Sequence, residues 1–329
     1  MFNIVKKTLL AASLALVATT AFAQGIDDPT RQPYLDAFKG KKIAFVPLAM
    51  GFDLTEGWAA AIKKEADRLG MTFEIRDPNW STDAGAQAIT SLISEKPDIM
   101  VIHNPDVASY ARLLKRAEEA GIKVIQMNMK SSYATSVYIG ADWVGVGEAQ
   151  AEAVIRKCGP GTSQKIQIMQ GVLTAAASAY SMKGVENVLA RHPEIKVVSN
   201  QAADWDATKA RNITATVLQQ HPDLCGSIGF WDVMDTGTAA AVKEAGKQVY
   251  IVTSGGGAKM VCDNVKAGLF GEEISYDVPS QGRDLGNMIQ ALVQATEPMK
   301  VSLYSPVRSI NAENLGPRSC WELDDIKKY

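Results

Sequence analysis

Residues 42–48, KIAFVPL, form a nearly continuous apolar run that is typical of a β-strand buried on both faces. Similar runs follow at residues 72–76 (TFEIR), 99–103 (IMVIH) and 123–127 (KVIQM). Between these runs, apolar residues recur at the spacing of an amphipathic helix. The alternation indicates βαβ units, which build a parallel sheet covered by helices.

A second set of strands repeats this scheme further along the chain. Its strand-like runs are residues 165–170 (KIQIMQ), 195–199 (IKVVS), 226–230 (GSIGF) and 249–253 (VYIVT). Helices are predicted between them, near residues 178–190, 206–220 and 234–245. Two such sets predict an α/β protein with two doubly wound parallel-sheet lobes.

The late elements predict how the two lobes are joined. A helix at residues 281–295 and a strand at 300–307 follow the second set, so we expect the chain to return to the first lobe there. Three crossovers between the lobes then restrict their motion to opening and closing. These crossovers are expected near Gly140–Trp143, Tyr276–Pro279 and Tyr304–Arg308. The expected N-terminal lobe is 24–142 with 277–305, and the expected C-terminal lobe is 143–276 with 306–329.

The N-terminus predicts export. Lys6 and Lys7 precede an apolar run over residues 9–18, and Ala21-Phe22-Ala23 supplies the small residues of a cleavage site. The run is shorter than the roughly 20 residues that span a bilayer. We therefore expect residues 1–23 to be a cleaved signal peptide and the mature protein to be periplasmic. No cysteine follows the cleavage site, so a lipid anchor is not expected.

Composition and motifs disfavour several classes of protein. Loss of residues 1–23 changes the formal net charge from −2 to −4, and this mild acidity argues against a nucleic-acid partner. A regulator of this fold would carry a helix-turn-helix where the signal peptide stands. The chain has no G-x-S-x-G, H-E-x-x-H or phosphate-loop motif, so no catalytic residue, cofactor or metal is expected. Gly255-Gly256-Gly257 fits a tight turn at least as well as an anion cradle.

The four cysteines predict disulfides within one lobe. Cys158, Cys225, Cys262 and Cys320 form no Cys-x-x-Cys pair, which disfavours a zinc or dithiol site. Export into an oxidising compartment favours one or two disulfides, and four cysteines allow three full pairings. We expect any disulfide to stay within the C-terminal lobe. Cys262 with Cys320 is favoured, because a tail that passes the last helix of that lobe could be tied there.

A few polar and aromatic residues at predicted strand ends are candidates for ligand contact. His103 ends a strand, where α/β sheets place their ligands. Trp205 and Trp231 lie outside periodic apolar faces, and each is followed by an aspartate. The simpler alternative is that each aspartate caps a helix beside a packed aromatic ring. Trp58, at helical spacing, is expected to be structural.

Three stretches carry a resemblance to a known family: residues 64–70 (KEADRLG), 104–106 (NPD) and 201–206 (QAADWD). Together they resemble the periplasmic monosaccharide-binding proteins of the ribose-binding type. The resemblance implies two lobes joined by three crossovers, a sugar in the cleft, and the membrane permease of an ABC importer as partner. The protein is expected to be a monomer.

The resemblance also implies a set of ligand-binding positions. The family's first aromatic loop matches Phe52 to Thr55, and its stacking aromatic matches Trp205. His103 stands where an asparagine is usual, and Asn128-Met129 replaces an Asp-Arg pair. With Asp232, which follows Trp231, the candidate ligand-binding residues are Phe52, Asp53, His103, Asn104, Asn128, Trp205, Trp231, Asp232, Gly255 and Tyr276.

The departures from the family predict a solute that is less polar than ribose. Sugars are held most strongly by charged groups, and the arginine of the Asp-Arg pair is absent here. A pentose, a deoxysugar or a small polyol is expected, with its apolar face between the indoles of Trp205 and Trp231. His103, Asn128 and Asp232 would supply hydrogen bonds. A less polar solute that is not a sugar, or a role as a chemoreceptor-linked sensor, remains the alternative.

Overall fold

The structure is a computed structural model that describes residues 28–328. The predicted signal peptide, residues 1–23, lies outside the described residues. None of the helices in the described range is long and apolar enough to cross a membrane.

The chain first builds most of one lobe. In chain order its elements are α1 (Arg31–Phe38), β1 (Lys42–Val46), α2 (Asp53–Leu69), β2 (Thr72–Ile75), α3 (Thr82–Glu95), β3 (Ile99–Ile102), α4 (Ala111–Glu119), β4 (Lys123–Met127) and β5 (Val137–Ala141). The sequence predicted four of these five strands; β5 was not predicted.

The second lobe follows without interruption. Its elements are α5 (Trp143–Lys157), β6 (Lys165–Gln170), α6 (Ala176–Leu189), β7 (Lys196–Ala202), α7 (Ala207–Gln220), β8 (Gly226–Gly229), α8 (Asp232–Glu244), β9 (Tyr250–Gly255), α9 (Lys259–Lys266) and β10 (Glu272–Ser275). The remaining elements are α10 (Val278–Gln294), β11 (Val301–Ser305), β12 (Arg308–Asn311) and α11 (Leu323–Lys328).

Two six-stranded sheets confirm the predicted fold class. The strand orders are β11-β5-β4-β3-β1-β2 and β12-β10-β9-β8-β6-β7. All pairs are parallel except β10 with β12. The predicted return to the first lobe is confirmed, because β11 pairs with β5. The chain passes between the sheets after β5, β10 and β11, so three crossovers join the lobes.

Burial follows the strand order. The central strands β3 and β8 are buried at every position, whereas the outermost strands β2 and β7 are largely exposed. Helices cover both faces of each sheet, which explains why the inner strands read as continuous apolar runs. Trp58 is fully buried in α2, and its indole N–H donates to Gln281 Oε1 of α10 at 2.8 Å. The structural role predicted for Trp58 is confirmed.

Both disulfides lie within the second lobe, as predicted. Cys262 pairs with Cys320, which confirms the favoured pair, and Cys158 pairs with Cys225. The second pair joins the end of α5 to the residue before β8. Neither disulfide crosses between the lobes, so neither opposes their opening.

The residues after Cys320 form a strap, residues 320–328, that touches both lobes. On the second lobe, the Trp321 indole N–H donates to the Gly256 carbonyl at 2.7 Å, and Lys259 N donates to Trp321 O at 2.9 Å. On the first lobe, α11 packs against α2 at Gly57, where an added Cβ would lie 3.2 Å from Ile326 Cδ1. The predicted lobe boundaries stay a prediction, but α11 lies against the first lobe although 306–329 was expected in the second.

The two disulfides provide a test of the strap. The closed loops are similar, with sequence separations of 58 and 67 residues, so loss of either pair is expected to lower the free energy of unfolding by about 4 kcal/mol. Only the double variant Cys262→Ser with Cys320→Ser should also raise hydrogen exchange in residues 323–328. Cys158→Ser with Cys225→Ser is the matched control. Equal protection of α11 in both variants would contradict an anchoring role for Cys320.

Candidate ligand-binding cleft

A small chamber, about 30 Å³ in volume and partly open to solvent, lies between the two lobes. Both lobes contribute to its wall. The lining residues are Leu48, Phe52, Leu54, Trp80, His103, Asn128, Met129, Trp143, Ala177, Trp205, Phe230, Trp231 and Tyr276. We call this space the inner chamber.

The parallel order of the strands explains why these residues meet. His103 directly follows β3, Asn128 follows β4, and Tyr276 follows β10. The carboxyl ends of parallel strands share one edge of their sheet, which is where α/β folds hold ligands. The two sheets direct these edges towards each other.

Six of the ten candidate residues line the inner chamber, and four do not. The six are Phe52, His103, Asn128, Trp205, Trp231 and Tyr276. The four that do not are Asp53, Asn104, Asp232 and Gly255.

Each of the four lies nearby but is directed or engaged elsewhere. The Asn104 amide is fully buried and donates to Gln126 Oε1 at 3.0 Å and to the Met129 carbonyl, so it holds the loop after β4. Asp232 Oδ1 accepts from the N–H of Val233 at 2.7 Å. Asp232 also covers Gly255, where an added Cβ would meet its carboxylate at 2.2 Å. Asp53 is exposed at the start of α2.

The capping alternative for the aspartates is half confirmed. Asp206 caps α7, because its Oδ1 accepts from Lys209 N at 2.7 Å. Trp205, the residue before this cap, nevertheless lines the chamber. Trp231 occupies the cap position of α8 and provides no side-chain cap. Capping and a place in the chamber wall are therefore compatible.

Sequence reasoning missed seven lining residues. Six are apolar or aromatic residues that the sequence offers no reason to separate from the core: Leu48, Leu54, Met129, Trp143, Ala177 and Phe230. Trp80 is different, because its indole is 48% exposed. Its surrounding residues, Asn79-Trp80-Ser81, resemble Asp204-Trp205-Asp206, and that similarity was an available signal.

His103 is the most unusual polar group of the chamber. Its side chain is buried, and neither ring nitrogen has a hydrogen-bond partner in the protein. Its ring packs edge-on against Trp58, with centroids 5.1 Å apart. Burial lowers the pKa of His103 to about 3, so the ring is neutral at physiological pH. A neutral imidazole offers one donor and one acceptor.

Asn128 presents a second unsatisfied polar atom. Its backbone is left-handed, with φ 61°, a conformation that asparagine tolerates better than most residues. The Asn128 carbonyl accepts from the Tyr138 hydroxyl and from the Trp143 indole N–H, both at 2.9 Å. These bonds fix the backbone, whereas Oδ1 of the buried side chain has no partner.

Four aromatic rings form a cluster across the cleft, two from each lobe: Phe52 and Trp80, Trp205 and Trp231. Trp231 lies at its centre, with ring centroids 5.4 Å from Phe52, 6.1 Å from Trp80 and 6.3 Å from Trp205. Phe52 and Trp80 are stacked, 5.6 Å apart. We call these four residues the aromatic cluster. It joins the lobes, because Trp231 touches rings of both.

The expected sandwich of a solute between Trp205 and Trp231 is wrong in its geometry. The two indole planes meet at 85°, so they form an edge-to-face pair rather than two parallel walls. Trp231 is also buried against Met169, Ala203 and Met234. It therefore belongs to the core as well as to the chamber wall.

The backbone at the two outer tryptophans is strained. Trp80 has φ 68° and Trp205 has φ 67°, and in each case the preceding residue is left-handed too. A left-handed backbone at a bulky residue costs of order 1–3 kcal/mol. Such strain is concentrated at functional sites, which distinguishes these two tryptophans from the buried ones.

A group of buried acids lies behind the chamber in the second lobe. Burial raises the pKa of Asp235 to about 8, although the Thr253 hydroxyl donates to its Oδ2 at 2.6 Å and favours the charged form. Burial also raises the pKa of Asp232 and of Glu273. None of the three lines the chamber, whose wall contains no Asp, Glu, Lys or Arg. The chamber is thus suited to a neutral solute.

These features define a class of protein: two α/β lobes that enclose a small molecule at their facing strand ends. The chamber wall holds no serine, cysteine or carboxylate nucleophile beside a base. Among residues 28–328, no group of three histidine, cysteine or acidic side chains is arranged to hold a metal ion. The geometry is that of a binding site.

Comparison with known proteins identifies the family. Residues 43–297 match the family model described as "Periplasmic binding protein domain", and the chain belongs to this family. The family comprises solute-binding transport proteins and is not a family of enzymes. The ribose import binding protein of Bacillus subtilis is 26% identical over 192 residues, which is 58% of this chain and 62% of that protein. The chain thus spans less than two thirds of that relative's length.

A second relative and a solved structure agree. The D-apiose import binding protein of Actinobacillus succinogenes is 26% identical over 213 residues, or 64% of this chain and 68% of that protein. A solute-binding protein from Burkholderia graminis, solved in complex with D-arabinose, matches with a TM-score of 0.78 at 24% identity. The match covers 86% of this chain and 99% of that one. The fold is that of a type I periplasmic binding protein.

Replacement of His103 by leucine separates binding from stability. In the ligand-free protein, His103→Leu removes two buried nitrogens that lack partners, so the free energy of unfolding should stay equal or rise by about 1 kcal/mol. Solute affinity should fall at least about tenfold, because the ring can no longer donate or accept. Urea unfolding and calorimetry measure the two quantities. Lower stability with unchanged affinity would assign His103 to the core alone.

Asp235 predicts a pH dependence of stability. Its pKa is about 8 in the folded protein and near 3.8 when exposed, so the folded state keeps a proton that the unfolded chain has lost. Asp235 alone should therefore lower the free energy of unfolding by about 2 kcal/mol between pH 6.5 and 8.5. Asp235→Asn should flatten this slope. Urea titrations of both proteins across this range provide the measurement, and parallel slopes would contradict the assignment to Asp235.

Proposed function

We propose that this chain is a periplasmic solute-binding protein that captures a small neutral sugar or polyol and delivers it to the permease of an ABC importer. Residues 1–23 direct export, and the mature protein acts as a monomer. The solute lies in the inner chamber. Phe52, His103, Asn128, Trp205, Trp231 and Tyr276 contact it.

One observation carries the proposal: buried polar atoms without partners stand in a chamber whose other walls are aromatic. Leaving a buried donor or acceptor unsatisfied costs about 1–3 kcal/mol. His103 and Asn128 together present three such atoms. A bound solute that satisfies them recovers this free energy, which supports a ligand rather than a purely structural role.

The same atoms restrict the chemistry of the solute. The His103 ring donates from one nitrogen and accepts at the other, and Asn128 Oδ1 accepts. Hydroxyl groups both donate and accept, so a solute with two or more hydroxyls on one edge fits them. The opposite edge faces indole and phenyl rings, which favour C–H groups. A pentose, a deoxysugar or a short polyol has this division.

Binding is coupled to closure because the wall comes from both lobes. A backbone bond from Val107 N to Thr174 O, 3.2 Å long, and the contact between Phe52 and Trp231 hold the lobes together. A solute that touches His103 on one lobe and Trp205 on the other binds the closed form better. It shifts the equilibrium by that difference in affinity. The closed form is then the one that the permease distinguishes.

A less polar solute that is not a sugar is the second candidate. The apolar character of the wall favours it, since ten of the thirteen lining residues are aliphatic, phenyl or indole side chains and only His103, Asn128 and Tyr276 carry other polar groups. Such a solute would still be neutral and would still need a hydroxyl or carbonyl edge.

A screen with a matched variant tests the proposal. Neutral pentoses, deoxysugars and polyols are expected to raise the melting temperature. At a concentration of 100 times the dissociation constant, a solute that binds should raise the free energy of unfolding by about 2.7 kcal/mol. Sugar acids and amino sugars should not, because no charged group lines the chamber. Trp205→Ala should weaken binding of the best solute by about 1–3 kcal/mol, as measured by calorimetry.

Tyr180→Ala is the control for that variant, because Tyr180 is an exposed aromatic residue of α6 outside the chamber. Its affinity should equal that of the wild type. Stabilisation by charged sugars alone, or an equal loss of affinity in both variants, would reject the proposed site. Stabilisation by neutral solutes without multiple hydroxyls would select the second candidate.

A further inference from the structure

A short repeat places one tryptophan at the mouth of the cleft in each lobe. Asn79-Trp80-Ser81 follows β2 and precedes α3, and Asp204-Trp205-Asp206 follows β7 and precedes α7. β2 and β7 are edge strands at equivalent ends of their sheets. In both copies the first two residues are left-handed and the third caps the helix. The two lobes therefore present Trp80 and Trp205 in matching ways.

The fold alone does not explain these indoles. Trp80 remains 48% exposed even though the lobes are in contact, and Trp205 is only partly buried. Both sit on a left-handed backbone whose strain glycine would relieve. An exposed, strained aromatic side chain repeated at one place in each lobe indicates selection for contact with something outside the chain.

Beyond the inner chamber lies a second space that both tryptophans also line. We call it the outer chamber. It measures about 510 Å³ and is partly open to solvent. It shares Leu48, Phe52, Trp80, Trp205 and Trp231 with the inner chamber. Both lobes contribute to it, so it forms when the cleft closes. The five shared residues place the outer chamber directly beside the inner chamber, with the aromatic cluster between them.

The outer chamber differs chemically from the inner one. Pro105, Val172 and Val233 add apolar surface, and Asp106, Asp204 and Asp206 add carboxylates. Asp106 already accepts from the N–H groups of Ala108 and Ser109, Asp206 accepts from Lys209 N, and Asp204 pairs with the Lys209 ammonium. A carboxylate has room for further donors, and a hydroxyl is a donor that brings no charge. Indole faces with acceptors around them suit a sugar ring.

We propose that the outer chamber is a second sugar subsite, so that the natural solute has two rings, one in each chamber, with the second ring lying against Trp80 and Trp205. This inference rests on the proposed function, since it assumes that the inner chamber holds a sugar. The solute class is then a disaccharide rather than a free monosaccharide. Trp80 and Trp205 contact both rings.

Paired probes test this subsite. Each of several monosaccharides is compared by calorimetry with disaccharides that carry the same sugar at one end, and with its phenyl glycoside. For at least one pair, the disaccharide should bind at least about tenfold more tightly than the monosaccharide. Val233→Phe, which fills the outer chamber from α8, should remove this advantage and change monosaccharide affinity less than about twofold. Trp80→Ala should lower the affinity for the disaccharide about tenfold.

Val197→Phe is the matched control, because Val197 is also exposed, lies on β7 and lines neither chamber. It should keep the full disaccharide advantage. If monosaccharides bind and no disaccharide binds more tightly, the subsite is rejected and the proposed function stands. Tighter binding of phenyl glycosides alone also rejects a sugar ring there. If no member of either series binds, both proposals fall.

Discussion

The parallel order of the strands is the constraint on which the cleft depends. In each sheet every strand except β12 runs in the same direction, so the loops that leave the carboxyl ends gather at one edge. Each lobe therefore has a single edge that is rich in irregular backbone, and the three crossovers hold these two edges face to face. His103, Asn128 and Tyr276 meet for this reason, although up to 173 residues separate them in the chain.

The sequence predicted the fold well because burial on both faces leaves a strong pattern. Strands such as Lys123–Met127 and Lys165–Gln170 were predicted with their observed bounds. β5 and β10 were missed. Val137–Ala141 contains glycine and tyrosine, and Glu272–Ser275 contains two acids that the fold buries. Glu273 is buried, and its Oε1 accepts a hydrogen bond from Gly257 N at 2.9 Å. A strand with such a residue cannot be recognised from its apolar content.

Position along a strand predicted one residue of the site, and the family resemblance predicted others. His103 was found because it ends a predicted strand. Tyr276 follows β10, which was not predicted, and it was named through the resemblance. Asp232 and Asn104 are equally close to strand ends, but their side chains turn towards an adjacent N–H and towards Gln126. These side-chain directions depend on rotamers and on nearby hydrogen-bond donors, which cannot be read from the sequence pattern. Two features of this site lower the stability of the folded protein: the unsatisfied nitrogens of His103, and the left-handed backbone at Trp80 and Trp205. The surrounding sheets are regular.

The strap makes the C-terminus part of the moving machinery. Trp321 is hydrogen-bonded to the loop after β9, and α11 packs on α2. The first turn of α2 carries Leu54, which lines the inner chamber. Any opening of the lobes must change at least one of these contacts. A purification tag or fluorescent protein fused behind residue 328 would therefore act on the open–closed balance itself. Affinities measured with such a fusion would include its effect on the equilibrium between the open and closed forms. A fluorescent reporter attached there would respond directly to closure.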